Sequence, residues 1–253
     1  MSKDDSTLSF WEVVAKVDKD DYLYDIKQKV FNHRLLKILR KGTVEDRQDI
    51  LKYICKEQVF ISEAMVAACD IALKLHGSNR VYKKYFQSFR DGNAPGRKEL
   101  ANTLSMLGGG TFDEVLQNHR PDPRAQTYSG VFTHVLASQK PAATALAMHV
   151  NFRTFGVVCM HIMDALKHDL GELGLTEEDL GFFGMFAVCY SGDMNLDYTG
   201  FMKGSKLVFE EGVIKEKFNY KEFINALCLL QHAELEFFDA IVPEEMMIKY
   251  LKI

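Results

Sequence analysis

No apolar run in the chain approaches the roughly 20 residues that a membrane-crossing helix needs, so no membrane span is expected. Charge of one sign is not in excess. The net charge of −4 over 253 residues predicts neither a nucleic-acid footprint nor attraction to a membrane surface. The cysteines are five, an odd number, and scattered (Cys55, Cys69, Cys159, Cys189, Cys228), which argues against a disulfide framework or a zinc site and for reduced, mostly buried thiols. Runs of β-branched residues at period two are missing, and so are internal repeats, low-complexity segments and any linker between two halves. The opening MSKDDSTLSFW is acidic and polar and has no signal-peptide core, so a cytoplasmic location is expected. These absences leave a soluble all-α chain, with residues 1–20 as a ragged lead-in and residues 21–253 as a single helical domain of seven or eight helices.

What is present is helical punctuation. A helix is expected from about Asp21 to Lys41, closed by Gly42, and a second is capped by Thr43 and runs to about Leu75. A third holds Val81, Tyr85, Phe86 and Phe89 and breaks at DGNAPG, residues 91–96. Gly108, Gly109 and Gly110 mark a bend or a close approach of backbone to another group. The two prolines of NHRPDPRAQ, 118–126, make a surface loop, and Pro141 suits the first residue of the next helix. A last long helix runs from Tyr220 to Ile241, opened by Asn219 with Glu222 in the manner of a capping box.

The stretch 140–200 reads as two helices joined by a turn at Gly171–Gly174, with Thr176 capping the second. His149 and Arg153 stand one turn apart, and together can hold a substrate carboxylate or pair with an acid of another helix. Phe186, Cys189 and Asp193 share a face of the second helix. Cys189 beside Asp193 is either a nucleophilic thiol at a pocket wall or a packed core thiol, and a neighbouring carboxylate raises a thiol pKa rather than lowering it. His161, Asp164 and His168 lie on one side of a helix and, with Glu57 or Glu63, offer half of a metal site, although His168 suits the solvated helix end. Glu57 is expected on the solvated edge, and Gln231 and His232 as flank residues. Of Glu234 and Glu236 at most one faces inward.

Four sequence words resemble those of the heme-oxygenase-like superfamily, which includes thiaminase II (TenA-type) proteins, pyrroloquinoline-quinone synthase and heme-oxygenase-like diiron oxidases. They are Asn32-His33-Arg34-Leu35-Leu36 followed by Gly42, then Leu107-Gly108-x-Gly110, then LGLTEEDLGFF at 173–183, and Glu234-x-x-Phe237-Phe238-Asp239. The resemblance implies an all-α heme-oxygenase-like bundle and a homodimer. It does not carry the diiron ligands: their positions hold Met106, Asp113, Asn151 to Arg153, Cys189, Asp193 and Leu196 or Asp197, of which Asp193 alone matches. The last word aligns Glu234 with the catalytic acid of thiaminase II, whereas that enzyme's nucleophilic cysteine corresponds to Asn151 to Arg153, where no cysteine stands.

The expected function is therefore oxidation or oxygenation of a small, anionic organic metabolite in a biosynthetic pathway. Asp193, Glu234 and Cys189 are the candidate catalytic groups, and His149, Arg153, Met106, Asp113 and Phe186 the candidate substrate contacts. The pocket would need no cofactor or use iron, with molecular oxygen as co-substrate. No metal ligand set is assigned beyond the weak candidates Glu63, His161, Asp164 and His168. Two alternatives stand beside it: a thiaminase II-like C–N hydrolase, and a small-molecule-binding protein without turnover.

Overall fold

The computed structural model describes residues 8–138, 140–190, 201–215 and 218–251, and these form an all-α bundle without strands among them. The helices are α1 (Phe10–Val17), α2 (Asp21–Phe31), α3 (Arg34–Lys41), α4 (Val44–His76), α5 (Arg80–Met106), α6 (Phe112–Asn118), α7 (Thr127–Ser138), α8 (Pro141–Leu166), α9 (Gly181–Tyr190), α10 (Phe201–Lys215), α11 (Tyr220–Ile241) and α12 (Glu244–Leu251).

The boundaries follow local chemistry. Thr43 opens α4 by accepting the Asp46 amide at 3.2 Å, and Pro141 sits at the start of α8, where its missing N–H costs nothing. Asn219 opens α11 by accepting the Lys221 and Glu222 amides. The glycine triplet is a true turn: Gly108 and Gly110 have φ of +65° and +92°, and a side chain on Gly109 would collide with Leu104.

Three expectations are corrected. The lead-in is not ragged throughout but contains a capped helix, α1, through which Phe10, Val13 and Val14 dock on the body as expected, with Val17 beside them. The helix expected over 21–41 divides at Asn32, because His33 turns its ring to accept the Leu35 amide and to meet Asp239 of α11. The break expected at 91–96 does not occur, and α5 runs through Pro95. Pro95 and Gly92 are exposed, so water can serve the carbonyl that proline leaves unpaired, and Asn93 ties the segment to α4 by donating to the Ser62 carbonyl at 3.0 Å.

Apolar side chains gather in two cores. One joins α3 and α12 to the first half of α4 and the second halves of α8 and α11. The other joins α1, α7 and α10 to the second half of α4 and the first halves of α8 and α11. Helix α8 is the axis of both and is buried without interruption from Pro141 to Phe152. Met65, Tyr128 and Phe186 pack against both cores, and they mark a waist where the two meet.

Candidate functional site

The waist holds a cleft. Gln58, Ile61 and Met65 reach it from one face of α4, Tyr128 from α7, Phe152 and Phe155 from α8, Phe186 from α9, and Glu234 and Phe237 from α11. Its empty space, open mouth included, is about 390 Å³. The spacings three, four or seven apart on α4, α8 and α11 are those by which one helix face lines one cavity. Aromatic rings make most of the wall. Phe186 stands edge-on to Phe155 at 4.9 Å and lies parallel to Phe152 at 6.1 Å.

Glu234 is the chemical centre. It is 2% exposed, and among the described residues neither carboxyl oxygen has a hydrogen-bond partner. Burial pushes its pKa well above the usual carboxylate range, which favours the carboxylic acid over the carboxylate. Across the cleft, Tyr128 Oη accepts from Asn151 Nδ2 at 2.9 Å. Burial first and the nearby Glu234 second push the Tyr128 phenol up. Gln231, one turn before Glu234 on α11, is 0% exposed with an unpartnered amide, and the buried Asn151 Oδ1 is unpartnered too. Such groups in a low-dielectric interior are costly unless something arrives to bond them.

Of the candidate catalytic and substrate-contacting residues, Glu234 and Phe186 meet in this cleft, together with Phe237 of the same motif, and His149, Arg153, Met106, Asp113 and Cys189 do not line it. His149 is buried one layer behind it, its ring 5.2 Å from Phe10 and 6.5 Å from Phe201, which in turn touches Phe152. Arg153 is half-buried and makes no ion pair among the described residues, so the His149–Arg153 anion clamp is not assembled at the cleft. Met106 is 53% exposed at the end of α5, and Asp113 is exposed in the first turn of α6. Both are corrected to surface positions. Cys189 is half-buried near the end of α9, off the cleft wall, and burial pushes its thiol up. Asp193, with Leu196 and Asp197, lies outside the described residues.

The metal candidates are dispersed. Glu63 pairs with Arg97, His161 packs on Phe31 at 6.2 Å, Asp164 pairs with Lys167 at 3.1 Å, and His168 is exposed. Among the described residues no three His, Cys, Asp or Glu side chains converge as a metal site would require. With Met106 and Asp113 at the surface, the donors among the described residues do not make up a diiron ligand set. Among those residues, too, no helix is long and apolar enough to cross a membrane.

Two glutamate and glutamine placements differ from expectation. Glu57 is 0% exposed rather than at the solvated edge: it accepts from His119 Nε2 at 2.8 Å, the Asp122 amide at 3.0 Å and Gln126 Nε2 at 2.6 Å, pinning the 118–126 loop to α4. Gln231 is interior, not a flank residue. Tyr128 and Gln58 were not among the candidates, and Asn151 figured only as a position where the family's ligand or cysteine is missing. Asn151 had a usable signal, a lone amide in an apolar helix, whereas Tyr128 had none.

No protein-family model matches the chain, and no curated protein does. Solved structures do. A TenA homologue from P. horikoshii OT3 superposes with a TM-score of 0.65 at 14% identity, covering 90% of this chain and 97% of its own. A TenA homologue from Pseudomonas syringae pv. tomato strain DC3000 gives 0.66 at 11% identity, covering 90% and 92%. At such identities the likeness carries the fold, an all-α heme-oxygenase-like bundle, and the chemistry must be argued from the cleft.

Proposed function

We propose that the cleft hydrolyses a C–N bond in a small, uncharged or cationic organic molecule, in the manner of thiaminase II, with Glu234 as the general acid. One observation carries the reading: Glu234 stands in a mostly aromatic cleft, and neither of its oxygens has a partner among the described residues. A carboxyl group kept as the acid can give its proton to a leaving nitrogen, a role worth roughly 10²- to 10⁴-fold in rate. In this scheme water adds its oxygen to the carbon and the C–N bond breaks. The amine leaves with the proton of Glu234, and the proton lost by the attacking water restores the acid. The rings hold the organic part, and the hydroxyl of Tyr128 is available to orient it.

The resemblance of Glu234-x-x-Phe237-Phe238-Asp239 to thiaminase II and the TenA homologues among similar structures support this choice. The oxidation first expected has no such support, and an anionic substrate finds no lysine or arginine on the cleft wall among the described residues. The binding protein without turnover is the second reading. What favours it is that the thiol nearest Glu234 in its electrostatic influence, Cys159, is fully buried and pushed well up by that burial, so no activated sulfur nucleophile is supplied.

The test is amine release from a set of aminomethyl-substituted pyrimidines and related N-heteroaromatics. Turnover that falls at least about a hundredfold in Glu234→Gln, with the fold intact by circular dichroism, is the expected result. Saturable binding of these compounds without amine release by the native chain would select the binding protein instead.

A further inference from the structure

The cleft sets one carboxyl group among ring faces. Besides Glu234, its wall is formed largely by Tyr128, Phe152, Phe155, Phe186 and Phe237, and no lysine or arginine among the described residues joins them. Ring faces carry partial negative charge and attract a cation within about 6 Å, with an energy of about 2 kcal/mol or more once water is excluded. A carboxyl group in the same wall offers the countercharge and a hydrogen-bond acceptor. An anion finds neither, and a neutral guest uses only the rings. We propose that the cleft takes a small organic monocation, an alkylammonium group, and that each one bound expels one proton from the site.

The proton follows from charge balance. Before binding, the site is a neutral carboxylic acid and the guest is a cation in water. Burying that cation against a neutral acid would leave an uncompensated charge, which is strongly unfavourable. Loss of the Glu234 proton to solvent leaves a carboxylate–ammonium pair whose net charge is again zero. No bond other than that O–H is broken, and nothing is oxidised or reduced.

Among the described residues, the surrounding groups make Glu234 the one that responds. From α7 comes Tyr128 and from α8 Cys159, both held protonated by burial. Cys55 of α4, beside Cys159, is held in the same way. Gln58, Asn151 and Gln231 carry no charge. Glu57 of α4, next to Gln58, is turned to His119 and Gln126 instead. The affinity for an ammonium ion therefore rises about tenfold per pH unit wherever the empty site is protonated and the filled one is not.

This deepens the hydrolase reading, on which it rests for its place in the reaction: the amine freed by C–N cleavage is neutral once it has taken the Glu234 proton. Where the proton lost by the attacking water goes to that amine instead of back to Glu234, it departs as an ammonium ion from a carboxylate, which regains its proton from solvent. Its test does not need turnover. Trimethylammonium is titrated calorimetrically into the full chain between about pH 6 and 8, in buffers of different ionisation heat, with tert-butanol as a neutral guest of similar size. Expected are close to one proton released per cation, a Kd falling about tenfold per pH unit, weaker binding of tert-butanol without pH dependence, and loss of proton release in Glu234→Gln. Equal binding of the two guests, binding without proton release, or no binding of trimethylammonium overturns the inference. If it is overturned while Glu234→Gln still abolishes amine release, the hydrolase stands. If proton-coupled binding is found and no substrate is turned over, the hydrolase falls and the cation site remains.

Discussion

Glu234 couples folding to pH because the folded chain holds its proton where the unfolded chain would not. Its pKa is raised above the ordinary 4.5 by burial. Stability is therefore complete below about 4.5 and declines as pH rises toward the folded-state value, by about 1.4 kcal/mol per pH unit for a single group. Glu234→Gln removes this term. Urea titrations should find the variant and the native chain equally stable near pH 4 and the variant increasingly the more stable toward neutrality; a constant difference across that range would contradict a protonated Glu234. Glu57 behaves otherwise, since His119, Asp122 and Gln126 all donate to it. Glu57→Ala strands three donors and is expected to cost about 3 kcal/mol or more in chemical denaturation, with hydrogen exchange rising first over residues 118–126.

At the scale of elements, two contacts are decisive. Helix α10 reaches α8 at Gly212, where an added Cβ would lie 2.4 Å from the Cβ of Ala142. Both atoms are fixed to helix backbones, so neither can rotate away. Gly212→Ala should cost about 1–3 kcal/mol through helix separation, despite the better helix propensity of alanine, and a raised melting temperature would refute this. The other contact is the clasp of α12 on the start of α4. Burial works against the charge of Asp46, but the Lys249 ammonium and the Tyr250 and Thr43 hydroxyls outweigh it and bring its pKa to about 2. The folded value is the lower one, so this stabilisation is present above the ordinary 3.8 and is lost as pH falls toward about 2. Asp46→Asn should protect less of α12 from hydrogen exchange at pH 6 and be indistinguishable from the native chain near pH 2. The element boundaries themselves were readable where a cap or glycine enforces them, as at Thr43, Pro141 and the 108–110 turn. They were unreadable at His33 and Pro95, where a partner on a distant helix decides.

For the whole molecule, α4, α8 and α11 run from one apolar core into the other, so neither core can lose its packing while the other keeps its helices. Trp11, the sole tryptophan, is exposed at the edge of the second core, where its ring meets Phe10 and His149, and so reports on that end of the bundle. Its fluorescence and far-UV circular dichroism should give the same denaturation midpoint; separate midpoints would mean the cores unfold independently. The same continuity creates the cleft, because the waist where the cores meet is filled by long side chains from five helices rather than by one close-packed layer.

Periodicity, caps and the absence of strand patterns determined the all-α class from the sequence alone, since these depend on residues a few positions apart. The motif around Glu234 also favoured that residue over Glu236 as the inward-facing one, and Glu234 is the one buried at the cleft. Its neighbours were decided only by the tertiary structure. Tyr128, Asn151 and Phe155 come from helices whose rotation about their own axes is set by packing, and His149, Arg153, Met106 and Asp113 were turned from the cleft by the same cause. A helix face is written locally, but what it faces is fixed by every other helix at once.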